Sequence, residues 1–413
     1  MKFDSIIIGG GLSGLTCGIK LAEQGRKCAI VSSGQSAIHF FSGSFDLLGQ
    51  VDGQEVKNPM ESMITLPDTH PYQRVGLENI SRLAAETPQL LERAGLKFSG
   101  HPDQNHYVLT PMGTMKPTWL TLDDFTRFEQ NDSLPWKQTV IINFSGFLDF
   151  HTLFIQDGLK KLGVKAQIKN IAMKEFEAIR RNPSEMRSTN IAKVFDQGDA
   201  LDEFVKKVNI LSEGAEVVIL PAVFGLFTKD VADELKAKVN KPVVLLPAIP
   251  TSTPGIRSQI LLRQRFQDLG GTYLLGDIVN EGTFKNNRLV GIQTNNHGDI
   301  KFEADQFVLA SGSFYSKGIV ANHDKLYEPI FGLDVDGNAD RAQWFDEKFF
   351  NDQPYMHYGV KTDKHFRALL KGEPIENLYV AGSVLGGANA LKEGSGAGIS
   401  LLTSLHVAEQ ILA

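Results

Sequence analysis

Glycines 9, 11 and 14 close a short apolar run, IIIGGGLSGL at residues 6–15, in the spacing G-x-G-x-x-G. In that spacing the first glycine permits a tight turn and the second lets backbone approach a phosphate. The third lets a helix pack closely on a strand, so the phosphate meets the helix's N-terminal amides. Gly9, Gly10, Gly11, Leu12, Ser13 and Gly14 are therefore the first candidates to hold a nucleotide-like cofactor. The next strand ends at Val31, followed by Ser32 and Ser33, where dinucleotide-binding folds place a carboxylate on the adenosine ribose. Two readings stay open. Either the cofactor has no adenosine half, or the Ser32 hydroxyl and the backbone hold that ribose without a carboxylate.

The other end of the chain, ENLYVAGSVLGGANALKEGSGAGISLL, reads as a strand, a glycine loop and a helix. It resembles the terminal element of two-dinucleotide-binding flavoproteins, in which the residues after the strand reach the ribityl chain and the helix N-terminus points at the ring. Gly382, Ser383, Gly394, Gly396 and Gly398 are its cofactor candidates, and VLASG at 308–312 adds Gly312 as a third station. Ser383, like Ser32, stands where an acidic residue is usual. A plain nicotinamide dehydrogenase has no use for this C-terminal element. The expected cofactor is a flavin, FMN by the missing carboxylates, with FAD as the alternative.

These stations need elements to position them. Phe3–Ile8, Leu12–Gln24 and Lys27–Val31 predict a βαβ unit, and residues 34–50 a Gly/Ser-rich loop. Helices are expected at Leu77–Ala94, His151–Leu162, Val231–Val239 and 256–269, with buried strands at Thr139–Phe144, Glu213–Leu220 and Val243–Leu246. From residue 271 short alternating runs predict an antiparallel meander whose last run, QFVLASG, leads back into the nucleotide lobe. The expected fold class is α/β, a two-dinucleotide-binding-type flavoprotein with a Rossmann-like parallel sheet, an antiparallel β-meander and an inserted second lobe. Residues 1–50, 256–330 and 370–413 make its flavin-binding domain, 51–255 the inserted or substrate lobe, and 331–369 a return segment capping the flavin.

The 413 residues are 42% hydrophobic and 22% charged, which is a globular composition. The net charge of -6 gives no electrostatic reason to bind nucleic acid or an anionic membrane surface. No run approaches the roughly 18 to 20 apolar residues that span a bilayer, and the opening strand differs from a cleavable signal peptide. Cys17 and Cys28 lie in apolar periodic segments and read as buried structural thiols in a reducing compartment. Two cysteines do not ligate an iron–sulfur cluster, which needs about four, and no metal site is expected.

GGGLSGL at 9–15, GQSAIHFFSGSFDLL at 34–48 and TPMGTMKPTWL at 110–120 resemble the B subunits of the anaerobic glycerol-3-phosphate dehydrogenase family. So do RNPSEMRSTNIAKVFD at 181–196, LPAVFGL at 220–226, LASGSFYSKGIVA at 309–321 and ENLYVAGSVLGG at 376–387. The resemblance implies an FMN-bearing subunit working with a catalytic A subunit and an iron–sulfur C subunit. It further implies a cytoplasmic chain held at the inner membrane through those partners. The implied reaction oxidises sn-glycerol 3-phosphate to dihydroxyacetone phosphate, with electrons passed to menaquinone. A chain that binds flavin only as an electron relay or assembly subunit is the alternative.

Oxidation of a secondary alcohol needs a base for the hydroxyl proton and a cation for the phosphate. His39, ahead of the FFSGS loop, and His357, in YMHYGVKTD, are the candidate bases. Arg257, Arg187 and Lys116 are the candidate cations. Each has a structural reading beside the functional one: a packed loop histidine, a surface arginine at a helix start, or a residue fixing the lobes. Ser42, Gly43 and Ser44 are candidates for the flavin's pyrimidine edge or N5, and Gly359, Thr362 and Asp363 lie in the segment expected over the ring.

Overall fold

In the computed structural model, which describes residues 1–197, 199–227 and 230–413, the opening apolar run forms β1 (Lys2–Ile8). The glycine turn leads to α1 (Leu12–Glu23) and then to the fully buried β2 (Cys28–Ser32). Next comes α2 (Leu77–Arg93), which buries Ile80, Leu83, Ala84, Thr87, Leu90 and Leu91 at amphipathic spacing. The chain continues through β3 (Gln138–Phe144), α3 (Thr152–Lys161), β4 (Lys165–Ile171), α4 (Ser188–Gln197) and α5 (Ala200–Leu211). It goes on through β5 (Val217–Pro221), α6 (Asp230–Lys238), β6 (Val243–Leu246) and α7 (Thr253–Asp268). Then follow β7 (Thr272–Leu275), β8 (Val279–Lys285), β9 (Arg288–Thr294) and β10 (Glu303–Leu309). The last of these elements are β11 (Arg367–Leu370), β12 (Glu373–Val380) and α8 (Gly396–Leu412).

Two compact units result. The first comprises Met1–Ala37, Asp46–Gly95 and Leu261–Ala413, so Asp46–Gly95 groups with the glycine stations, whereas the sequence placed the start of the inserted lobe at residue 51. Its sheet has the order β7-β2-β1-β10-β12-β11, parallel except for the β11–β12 pair. Register aligns the strand ends. Ile8 lies beside Val31 and Leu309, and Leu309 beside Val380, so the turns at Gly9, Ser32, Ala310 and Ala381 leave one edge together. Ligands of open parallel sheets bind at that carboxyl edge.

Gly18 lets α1 lie close on the sheet, since a Cβ there would come within 2.9 Å of Ile30 and 3.0 Å of Phe266. The expected meander is narrower than its pattern suggested. Only β8 and β9 form an antiparallel hairpin, while β7 joins β2 in parallel because it returns from a helix, the arrangement that yields a crossover.

The second unit, Ile38–Phe45 with Leu96–Ile260, holds a four-stranded parallel sheet in the order β4-β3-β5-β6. Three of these strands match buried runs in the sequence. The fourth, β4, is an edge strand whose mostly polar residues hid it. Phe144, Phe176, Phe195, Phe204 and Phe224 pack edge-to-face, tilted or stacked in its core.

Candidate functional site

The first unit brings the three glycine stations together. A Cβ on Gly9 would lie 2.1 Å from the Ala310 carbonyl oxygen, and one on Gly14 would lie 1.9 Å from Gly9 O. Gly382, at φ +78°, leaves no room for a Cβ beside Ser13 Oγ, and a Cβ on Gly312 would reach Ser383 Oγ at 3.8 Å. Side chains at the first three positions are thus excluded by the protein itself. Gly11 differs, because its nearest neighbour would be Ser36 Cβ at an ordinary 3.4 Å. That side of the turn is open.

Gly11 is also the N-cap of α1 and supplies no side chain to its first amides. These amides carry the positive end of the helix dipole and suit a phosphate. Ser311 Oγ is buried at the Ala310–Gly312 station without a hydrogen-bond partner. An uncapped helix end, an open glycine and an orphaned hydroxyl fit a phosphorylated flavin. Ser32 is buried and donates from Oγ to Gly34 O at 3.1 Å, while Ser33 is exposed.

The C-terminal glycines divide by role. Gly382 N donates to Thr403 Oγ1 at 2.9 Å, which ties the station to α8. Gly394, at φ +60°, ends the short helix Ala390–Glu393, and Gly396 opens α8. Gly398 has a packing reason for its identity, because a Cβ there would meet the Tyr72 hydroxyl at 2.2 Å.

Beside this loop lies a cavity of about 740 Å³ lined by His357, Asp352, Asn389, Lys392, Glu393 and Asp336 among others. His357 Nε2 is 2.8 Å from Asp352 Oδ2, and Asn389 Nδ2 donates to Asp352 Oδ1 at 2.7 Å. Burial works to raise the Asp352 carboxyl, but its hydrogen bonds from Asn389 and His357 outweigh that and hold it below the usual range. Asp352 therefore orients the imidazole as a carboxylate. Gly387, which lines the cavity, donates its N–H to His357 O at 2.8 Å.

In the cavity wall, Glu393 accepts from Ser395 Oγ at 2.8 Å and from the Asn389 amide at 2.9 Å, and meets His70 Nε2 at 3.1 Å. His70 Nδ1 accepts from the Tyr72 amide, so the proton sits on Nε2 and faces Glu393. Thr362 and Asp363 are held by Arg74, and Asp363 also binds Arg367 Nε at 2.7 Å. Sequence reasoning found His357 but missed Asp352, Asn389, His70 and Glu393. No local spacing announces a network whose members lie up to 323 residues apart.

The remaining candidates belong to the second unit. Arg257 is 2% exposed and commits its guanidinium to Asp124 Oδ1 at 2.5 Å and to Gly225 O at 2.6 Å. It is a buried tie within that unit. Arg187 is paired in the same way, donating to both Asp149 oxygens at 2.9 Å on an exposed surface. Lys116 lies in the strand Met115–Thr118.

His39 sits in the 3-10 turn Ala37–Phe40, with Nδ1 buried and unpartnered. Burial lowers its pKa against a raising hydrogen bond from Gln259, so the ring is neutral. Ser44 Oγ is likewise buried without a partner, and Gly43 packs so closely on the Phe125 ring that a Cβ would come within 2.2 Å. Phe41 packs on Phe45 and Phe98, whereas Phe40 is exposed.

Cys17 and Cys28 are free and buried, and burial pushes both thiols up, Cys28 to about 12. No group of three or more His, Cys, Asp or Glu suited to a metal ion occurs among the described residues. No helix among them is long and apolar enough to cross a membrane.

A protein-family model described as an FAD binding domain matches residues 4–399. A protein of Yersinia pestis bv. Antiqua (strain Antiqua), named as the B subunit of anaerobic glycerol-3-phosphate dehydrogenase, is 45% identical, over 100% of this chain and 98% of its own. One of the same name from Pectobacterium atrosepticum is 40% identical over 100% and 99%. Among solved structures, the 3-ketosteroid delta1-dehydrogenase of Sterolibacterium denitrificans covers 99% of both chains at TM-score 0.46 and 11% identity, too distant to add to the sequence relatives.

Proposed function

Because this chain belongs to the FAD binding domain family and, within it, to the anaerobic glycerol-3-phosphate dehydrogenase B subunits, we propose that it is the flavin-bearing subunit of such a dehydrogenase. The reaction is oxidation of sn-glycerol 3-phosphate to dihydroxyacetone phosphate, with electrons passed on to menaquinone. The observation that carries this reading is the convergence of Gly9–Gly14, Ala310–Gly312 and Gly382–Ser383 on the uncapped end of α1, with a cavity beside the following Gly387–Asn389 loop that holds a carboxylate-bound imidazole. A flavin held there supplies hydride acceptance and onward electron transfer.

The terminal phosphate belongs at the α1 amides beside Gly11. Missing carboxylates at Ser32 and Ser383 favour FMN over FAD. In the cavity, the Asp352 carboxylate accepts a hydrogen bond from His357 Nε2–H, so Nδ1 keeps the lone pair that can accept a hydroxyl proton. His39, neutral and unpartnered at Nδ1, is the second candidate base. A catalytic A subunit and an iron–sulfur C subunit complete the complex and hold this cytoplasmic chain at the inner membrane.

A second reading has its own observation. Lys392 is the one lysine or arginine among the described residues lining the cavity, against Asp52, Asp336, Asp352 and Glu393. A phosphate dianion is repelled by such a lining. On this reading the partner holds the substrate and the chain relays electrons. Anaerobic addition of sn-glycerol 3-phosphate to the flavin-loaded chain, alone and with its partner subunits, separates the two through flavin absorbance. Bleaching of the chain alone supports a substrate site here, and bleaching only with the partners supports the relay. Persistent yellow colour in both overturns the dehydrogenase assignment.

A further inference from the structure

Tyr273 lies on β7 opposite Ile30 of β2, and its hydroxyl donates to Gly10 O at 3.1 Å. The Arg263 guanidinium lies over its ring, 5.9 Å from the centroid. A Cβ on Gly10 would fall 2.1 Å from that hydroxyl and 2.5 Å from Ser32 Cβ and Oγ. The corner between the glycine turn and the end of β2 is therefore filled by the protein's own atoms. In dinucleotide-binding folds this corner receives the adenosine ribose, whose diol sits on a carboxylate.

Among the described residues, the one acidic residue bonded to the end of β2 is not free to serve as a replacement. Asp277 donates its amide to Ser32 O at 3.1 Å. Its carboxylate is already engaged by the Ile278 amide at 2.9 Å, the Asn296 amide at 3.0 Å and His297 Nδ1 at 2.7 Å. Burial opposes ionisation of Asp277, yet these bonds and one from Thr294 hold it below its ordinary range, so it stays a structural anion. Meanwhile the Gly11 side of the turn remains open to a phosphate. The Gly11 side of the turn can take a phosphate, while the corner at Gly10 is occupied by the Tyr273 hydroxyl and the Ser32 side chain.

We propose that Tyr273 is the specificity-determining residue that restricts this site to a flavin mononucleotide, its hydroxyl occupying the place of the adenosine ribose. This rests on the FMN reading above. Tyr273 acts by exclusion, so shortening it must admit FAD without disturbing FMN.

The test is binding of FMN and of FAD to the deflavinated full chain, followed by fluorescence quenching, for the wild type, Tyr273→Ala and Tyr273→Phe. The wild type is expected to prefer FMN by about 100-fold, and Tyr273→Ala to gain about tenfold or more for FAD with FMN affinity within about threefold. If the wild type prefers FMN and Tyr273→Ala still rejects FAD, Tyr273 is not the gate, although the FMN reading survives. If the wild type binds both equally, the gate and the FMN reading fail together. Should Tyr273→Ala not fold, Tyr273→Phe removes only the hydroxyl. A several-fold gain for FAD then supports the proposal, and no gain overturns it.

Discussion

His357 gains meaning as a single residue only through its partners. A lone histidine in a segment such as YMHYGVKTD reads as packing. A histidine held by Asp352, itself held by Asn389, is an oriented imidazole, the group proposed above as the base. If the chain holds the substrate, His357→Ala should slow flavin reduction by sn-glycerol 3-phosphate by about 100-fold at unchanged flavin content, measured in stopped flow. Asp352→Asn should slow it less, because the imidazole survives without its orienting charge.

His106 makes a different residue-level prediction. It is buried against Thr121 Oγ1 at 2.6 Å, and burial together with the Arg127 charge lowers its pKa from 6.5 to about 4. A histidine depressed in the folded state binds its proton more readily when unfolded. Stability should therefore fall as pH drops from 6.5 towards 4, by up to about 3 kcal/mol, and change little further below that from this group. Urea denaturation across that range should show the loss, and His106→Gln should flatten it. The glycine stations were legible in the sequence because their spacing is local. The partners of His357 and the role of Tyr273 were not, since both depend on segments brought together only by folding.

Among the elements, the β1–α1–β2 unit was legible almost to its ends, because apolar run, glycine turn and helix period all agree. β7 was misread because four residues cannot disclose whether their neighbour runs parallel or antiparallel. α4 and α5 were not read at all, hidden in a segment of mixed polarity. The tight turn yields a sharp prediction: Gly14→Ala puts a methyl 1.9 Å from Gly9 O and should abolish flavin retention on purification. In the second unit, Asp124→Ala would strand the buried Arg257 guanidinium. Loss of one partner from such a pair costs about 3 to 5 kcal/mol, readable as a lowered urea midpoint.

At the scale of the whole molecule, Asp46–Gly95 groups with the glycine stations, where the sequence reading began the inserted lobe at residue 51. Asp46–Gly95 joins the first unit because its residues serve that unit: Tyr72 binds Leu47 O and Ser395 O, and His70 binds Glu393. The mixed patterning of those residues gave no sign of it. A flavin bound only by the folded chain should raise the melting temperature with concentration, equivalent to about 2.7 kcal/mol at a hundredfold excess over its dissociation constant.

The central claim is that this chain carries a flavin, of the mononucleotide kind, at the carboxyl edge of its parallel sheet. Acid release of the cofactor from the purified full-length protein, with FMN and FAD separated by chromatography and fluorescence, tests it most directly. One FMN per chain is the predicted result. A chain that releases no flavin would contradict the account, and one that releases FAD would overturn the meaning given to Ser32 and Tyr273.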